Sequence, residues 1–319
     1  MNEKVKSGLA IEAQGLIKRY DEEVLAVDSI DLAIEANTIY SLLGPNGAGK
    51  TTTLSILTTL LEPSAGSAAV CGLDVVKQAN EVRKHIGVTF QETVLDDALT
   101  GRQALDFHGQ LYQQSKAMRQ AKIEELLVLV ELEDAADRKI RTYSGGMKRR
   151  LELIRGLMTE PDVLFLDEPT LGLDPQSRVR LGDYITDLKQ NQGLTLMLTT
   201  HYMDEAQLLS DRVGIIDHGK IVAEGTPSEL IEQMGADVIQ VEGQGNSDQF
   251  VAVVKALPFT KEVSAVNGVI QIGVASGSRR LVEVVSVASD SGFRIEDISV
   301  AEPSLGDVFL KYTGRQFRD

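Results

Sequence analysis

The chain has 319 residues, 43% hydrophobic and 25% charged, with one cysteine and a formal net charge of −15. Such values fit a soluble globular protein with one large domain and a smaller one, and a single Cys71 excludes an internal disulfide and suits a reducing cytosol. An acidic body speaks against broad nucleic-acid binding, which needs a basic face, so an anionic ligand must be met by a local lysine, a metal ion or helix N-termini. No apolar run approaches the roughly eighteen residues of a membrane span, and the start MNEKVKSGLAIEAQG has no apolar core of the signal-peptide kind.

In chain order, the run TIYSLLG (Thr38 to Gly44) reads as a short buried strand ended by glycine, and KTTTLSILTTLL as a helix. HIGVTF is a further strand. From Gly101 to Ile140 the pattern is helical throughout, which predicts a helical insertion at about residues 100–158. DVLFLDEPT and LTLMLTTH read as buried strands with the helical PQSRVRLGDYITDLKQ between them. Strands alternating with helices predict an α/β domain on a largely parallel sheet. RVGIIDHGKIVAEG predicts a hairpin, and TPSELIEQMG a helix with Thr226 as N-cap, Pro227 at its first position, Glu229 reaching back and Gly235 stopping it.

The texture changes after Gly235. DVIQVEG (strand), SDQFVAVVKAL (helix), EVSAVNGVIQIGV (a hairpin around Asn267-Gly268), SRRLVEVVSVASDSG (helix) and FRIEDISVA (strand) follow, with PSLGDVFLKYTG as a last helix. The order βαββαβ predicts a small α+β, ferredoxin-like unit. The expected domains are therefore 1–235 and 236–319.

Gly44-x-x-x-x-Gly49-Lys50-Thr51 lies between a strand and a helix, the setting of a P-loop. Gly44, Pro45, Asn46, Gly47, Ala48, Gly49 and Thr52 complete a loop whose backbone N–H groups wrap phosphates at a helix N-terminus. Lys50 reaches the β/γ-phosphates, and the Thr51 hydroxyl can ligate Mg²⁺. Asp167 and Glu168 end a buried strand at the sheet edge where ligands sit; Asp167 suits the metal shell, Glu168 the polarisation of a water. His201 ends another strand at the same edge. Tyr20 is placed either to stack on a nucleobase or to pack. A second glycine corner, Ser144-Gly145-Gly146, opens the helix GGMKRRLELIRGLM; with Ser144 as N-cap its bare amides form a second anion site.

These motifs, in register over the first 230 or so residues, resemble the ATP-binding subunits of ABC transporters. The resemblance implies a P-loop NTPase fold and ATP hydrolysis with Mg²⁺. It makes Gln91 the Q-loop residue, in contact with nucleotide and metal, Asp174 of GLDP the D-loop acid, His201 the switch histidine and Tyr20 the A-loop aromatic. It also implies that Ser144, Gly145 and Gly146 hold the γ-phosphate on a second subunit's P-loop, in a dimer of like or related chains that sandwiches two ATP molecules. Glu168 would orient the attacking water, with Lys50 and His201 supplying charge. Two positions depart from the usual signature: Tyr143 stands for leucine and Met147 for glutamine. THYMDEA and EPSLGDVFLKYTGR are similar to the daunorubicin-resistance branch of ABC-2-type exporters, which implies a separate membrane permease and a place on the cytoplasmic face of the membrane. The competing readings are a soluble ABC-type ATPase and an importer subunit. A long coiled coil or a second ATPase domain would favour the first, a barrel-like β tail the second; none is visible here.

Overall fold

In a computed structural model describing residues 8–20, 24–92, 94–233, 237–266, 269–274, 277–301 and 303–314, the chain divides into two compact units. The first runs to Pro227 and the second begins at Ser228. The division comes ahead of the expected Gly235, which lies outside the described residues. The reason is local: the end of helix α8 (Pro227–Glu232) is tied to the last helix, α11 (Leu305–Thr313), because Lys311 Nζ and the Tyr312 hydroxyl both donate to Gln233.

The first unit contains an antiparallel sheet that periodicity did not reveal. Its strands are β1 (Leu9–Arg19), β2 (Leu25–Glu35), β4 (Ala65–Val70) and β5 (Leu73–Asp74), in the order β2-β1-β4-β5. In β2 the buried residues Val27, Ile30, Leu32 and Ile34 share one face with an irregular start, since Ser29 takes a left-handed φ of 58°. That irregularity hides the strict alternation on which a strand assignment rests.

The second sheet carries the motifs. It comprises β3 (Ile39–Leu43), β6 (Ile86–Thr89), β7 (Val163–Asp167), β8 (Thr195–Thr200), β9 (Arg212–Asp217) and β10 (Lys220–Gly225), in the order β10-β9-β3-β8-β7-β6. All neighbours are parallel except the predicted β9–β10 hairpin. β3, β7 and β8 are buried at every position, as expected of parallel strands covered on both faces. Successive residues serve different cores: Val163 and Phe165 pack with β1, β2 and helix α1 (Lys50–Leu57), while Leu164 and Leu166 pack with the helical insertion.

The helices of that insertion are α3 (Gly101–Leu111), α4 (Lys116–Leu129) and α5 (Gly145–Leu157). It is not helical throughout. α4 stops at Leu129 because Glu131 adopts a left-handed φ of 53°, and the rest reaches α5 through two 3-10 turns, Glu133–Ala135 and Ile140–Thr142. α1 likewise ends sooner than its sequence suggests, at Leu57, before Thr59 with φ 65°. Tyr143, the first departure from the usual signature, is buried and its hydroxyl donates to Ala135 O at 2.7 Å. A Cβ at Gly101 would lie 2.4 Å from that hydroxyl, so the large ring is accommodated by a missing side chain on α3. Met147, the second departure, packs against the same core.

α2 (Ala79–His85), α6 (Pro175–Gln192) and α7 (Met203–Leu209) complete the first unit. Cys71 is partly buried, and burial pushes its thiol up to about 12, the environment of an inert core cysteine.

In the second unit, β11 (Asp237–Gly245), α9 (Ser247–Lys255), β12 (Thr260–Val266), β13 (Val269–Val274), α10 (Gly277–Asp290) and β14 (Phe293–Ala301) follow the predicted βαββαβ order. The sheet order is β12-β13-β11-β14, antiparallel throughout, which is ferredoxin-like topology. Its core is built on Phe250 stacked against Phe293, ring centroids 4.8 Å apart. The predicted turn at Asn267-Gly268 lies outside the described residues.

Candidate ATP-binding and hydrolysis site

Strand order, rather than proximity in sequence, assembles the site. β8 lies between β3 and β7, with Leu43 paired to Thr200 and Asp167 to Thr199. The residues leaving these three strands at their C-terminal ends, Gly44, Glu168 and His201, are therefore neighbours at one sheet edge.

The loop after β3 leads directly into α1. Gly49, at its N-cap, has φ 107°, and a Cβ there would lie 2.3 Å from Ala26 O. Only glycine meets both conditions. Lys50 is 5% exposed; its ammonium donates to Gly44 O (2.7 Å) and Pro45 O (3.2 Å) and lies 3.2 Å from Glu168 Oε1. Burial lowers its pKa from the ordinary lysine range, a pull opposed by the Glu168 carboxylate. A cleft of about 410 Å³ opens here, lined by the loop from Pro45 to Thr52 together with Val24, Gln91 and Glu168.

Asp167 is buried at the end of β7. The hydroxyls of Thr51 (3.2 Å) and Thr199 both donate to its Oδ1. Glu168 takes a left-handed φ of 46°, uncommon for a residue with a side chain. Its N–H is held by Thr199 O (3.1 Å) and Thr199 Oγ1 (3.0 Å). The carboxylate is thereby aimed between two side chains, with Oε1 toward the Lys50 ammonium and Oε2 3.2 Å from His201 Nδ1. The His201 ring packs tilted against Tyr202 (centroids 4.1 Å, interplanar angle 40°), and the Arg178 guanidinium of α6 lies over the Tyr202 ring at 3.9 Å.

Tyr20 is 57% exposed at the rim, its hydroxyl 3.3 Å from Thr52 Oγ1. The remaining predicted residues stand outside this cleft. Ser144 caps α5, its hydroxyl accepting from Met147 N–H, and a Cβ on Gly145 would meet nothing within 4 Å. Asp174 caps α6: its Oδ1 accepts from Ser177 N–H and its Oδ2 from the Ser177 hydroxyl at 2.6 Å. These bonds hold its carboxyl below the usual range. A Cβ on Gly146 would lie 2.8 Å from that same Ser177 hydroxyl, so the second glycine corner and the Asp174 turn sit side by side.

Sequence reasoning missed three contributors. Thr199 lies in a run that reads as strand, although two consecutive threonines ending an apolar run signal that polar groups meet there. Tyr202 was hidden inside a motif known for its histidine. Arg149, buried behind the Glu168 turn, was readable as one of an Arg–Glu pair three residues apart on a helix with Glu152.

Comparison with known proteins places the chain in a family. The "ABC transporter" family matches residues 27–171, and the "ATP-binding protein DrrA1-3-like, C-terminal domain" family matches residues 225–313. The "Daunorubicin resistance ATP-binding protein DrrA3" of Streptomyces coeruleorubidus is 42% identical over 306 residues, 96% of each chain. The chain belongs to the ATP-binding subunits of ABC transporters. Within them it belongs to the daunorubicin-resistance branch, and it is an ATPase. The "Linearmycin resistance ATP-binding protein LnrL" of Bacillus subtilis is 34% identical to this ABC subunit, covering 97% of this chain and all of its own. The dimeric post-hydrolysis structure of the ATP-binding cassette MJ0796, bound to ADP and Pi, superposes with a TM-score of 0.62 at 25% identity, covering 68% of this chain and 98% of that one. In the ABC subunit described here, no helix among the described residues is long and apolar enough to cross a membrane.

Proposed function

We propose that this subunit powers a drug exporter by closing on a second ATP-binding subunit, with each ATP held between one chain's Lys50 loop and the other chain's Ser144-Gly145-Gly146 corner. One observation carries this reading: the cleft around Lys50 has its own phosphate loop and Glu168, while the bare N-terminus of α5 stands outside it, open and without a phosphate loop of its own. An exposed helix N-terminus with free amides binds anions. ATP then acts as a ligand of the closed dimer, and moving closure from 1:99 to 99:1 takes about 5.5 kcal/mol of preference for that state.

Within the cleft, Lys50 binds the β/γ-phosphates and Glu168 orients the attacking water, with His201 holding the carboxylate from the far side. The Thr51 hydroxyl and the Asp167 carboxylate, 3.2 Å apart, are hard oxygen donors of the kind Mg²⁺ accepts, and Gln91 lines the same cleft as Thr51. Among the described residues no cluster of three or more His, Cys, Asp or Glu could hold a metal unaided, which suits an ion bound jointly with substrate phosphates. Such an ion neutralises charge on the transferring phosphoryl group. Tyr20 stacks on the base. Tyr20→Ala should raise the Kd for ATP about 5–150-fold, the equivalent of about 1–3 kcal/mol of base stacking, while Tyr20→Phe restores it. Equal affinity of all three chains by fluorescent-nucleotide titration would remove Tyr20 from the site.

The membrane partner docks beside the helical insertion. Two adjoining clefts of about 270 and 420 Å³ share Val94, His108 and Arg155 and leave Val94, Phe107 and Leu111 more than half exposed. Apolar side chains gathered in this way mark a protein-binding surface. The drug-resistance names of the relatives point to hydrophobic cargo, chosen by that partner, and the second unit serves as an accessory to dimerisation. To test this, Phe107→Asp is produced in cells together with a membrane permease of the drug-exporter type. The isolated variant should keep its ATP turnover within about twofold, as a surface substitution does, yet leave the membrane fraction and lose energy-dependent daunorubicin efflux. Unchanged membrane attachment and efflux would dismiss the groove as the docking site.

A further inference from the structure

Arg149 lies in the first turns of α5 and is 6% exposed. All five of its N–H donors are engaged. Nη2 donates to Asp167 O (2.8 Å) and Glu168 O (2.9 Å), and Nε to Pro169 O (2.6 Å). Nη1 donates to Phe90 O (2.6 Å) and to Glu152 Oε2 (3.3 Å). Glu152 is fully buried, and its other oxygen accepts from Val94 N–H at 2.7 Å. One guanidinium therefore holds three consecutive carbonyls around Glu168 and, with Glu152, both flanks of the segment that carries Gln91.

The placement matters because the Glu168 backbone is not at rest. A left-handed φ at a residue with a side chain persists only where its surroundings over-determine it. On the N–H side Thr199 supplies that constraint; on the carbonyl side Arg149 does. Without the guanidinium, the Asp167 and Pro169 carbonyls lose its bonds and Glu168 O keeps only Leu171 N–H (3.1 Å), so the turn is held mainly from the Thr199 side and the carboxylate is free to swing away from the place where water must be oriented. The nucleotide loop is built by β3 and α1 and receives no bond from Arg149.

We propose that Arg149 is a positioning residue for hydrolysis: it fixes the Glu168 turn and, through Phe90 and the Glu152–Val94 bond, couples that turn to the Gln91 segment. The proposal rests on the assignment of Glu168 as the residue that orients the attacking water. Its consequence is that any displacement of the Gln91 segment, which borders the proposed docking groove, reaches Glu168 through one side chain.

A double-mutant cycle in the full-length chain tests this. Arg149→Lys keeps the charge and stem but offers only three donors from a single point, so it cannot span the five acceptors. It should lower kcat about 10–100-fold, the range for a misplaced catalytic group, with ATP affinity and KM unchanged and a native circular-dichroism spectrum. In the Glu168→Gln background the same substitution should cost no more than about twofold, since the group it positions is already gone. Arg149→Lys with Glu168→Gln should also still form the ATP-bound dimer on gel filtration. Glu152→Gln, which keeps an acceptor for Val94 N–H, provides a milder second entry into the cycle, with a smaller loss of the same pattern.

Losses that multiply in the double variant, parallel falls in ATP affinity and kcat, a failure of the double variant to dimerise, or wild-type turnover of Arg149→Lys would each overturn the inference while leaving Glu168 in place. Near-normal turnover of Glu168→Gln alone would instead remove the assignment beneath it, and the inference with it.

Discussion

Glu168→Gln is expected to slow ATP hydrolysis about 10²–10⁴-fold, the range for a positioned acid–base group, or about 3–5 kcal/mol of barrier. Binding should survive, and the geometry explains why. Glu168 Oε1 sits 3.2 Å from Lys50 Nζ, so the carboxylate competes with phosphate for the same buried ammonium. Gln keeps the shape and a hydrogen-bonding end but removes the negative charge, which leaves Lys50 freer for the nucleotide. The variant should therefore bind ATP at least as well as the wild-type chain. Because loss of the γ-phosphate is what reopens the dimer, it should accumulate as an ATP-bound dimer on gel filtration. Near-normal turnover, or a monomer at saturating Mg-ATP, would take Glu168 out of its role.

The shared site allows a second large effect, one that appears only on mixing. Lys50→Ala disables the phosphate loop. Gly145→Asp places a carboxylate at the open N-terminus of α5, where the partner's γ-phosphate should sit. Gly145 is the better target of the two glycines, since a side chain there meets nothing within 4 Å, whereas one on Gly146 collides with Ser177 and would disturb the Asp174 cap in its own chain. An aspartate in the first turn of a helix is otherwise well tolerated. Each homodimer should be inactive, because both of its sites lack one half. A head-to-tail mixed dimer has one site with both lesions and one with neither, so ATP-dependent dimerisation and part of the hydrolysis should return. If every chain used its own corner, each site would keep a lesion and nothing would return. Absence of recovery, with subunit exchange confirmed by differently tagged chains, would end the shared-site reading.

The contrast between the two lesions also shows why the candidate site is legible in the sequence. Phosphate loops, strand-end acids and capped helix starts depend on local backbone geometry, and local geometry leaves local marks: a glycine where φ must be positive, a hydroxyl at an N-cap, a carboxylate where an apolar run stops. Lys50, Thr51, Asp167, Glu168 and Ser144 can each be named from a few flanking residues. The βαββαβ order of the second unit was readable for the same reason, since each strand and helix carries its own period.

What the sequence could not contain was the order of the strands. Placing β8 between β3 and β7 is what makes Gly44, Glu168 and His201 neighbours, and that order follows from burying both faces of one sheet, a property of the whole unit. The antiparallel sheet of β1, β2, β4 and β5 escaped for a related reason: its alternation is broken by left-handed residues such as Ser29, tolerated because cross-strand pairing supplies what the local pattern lacks. Arg149 is the clearest case. As a letter in GGMKRRLELIRGLM it is one basic residue among several on a helix; only folding places five acceptors from three separate segments around it. By itself the sequence determined the chemistry available and the elements that bear it. Tertiary structure decided which groups meet, because long-range burial and hydrogen bonding, unlike a turn or a cap, are satisfied only by residues far apart in the chain.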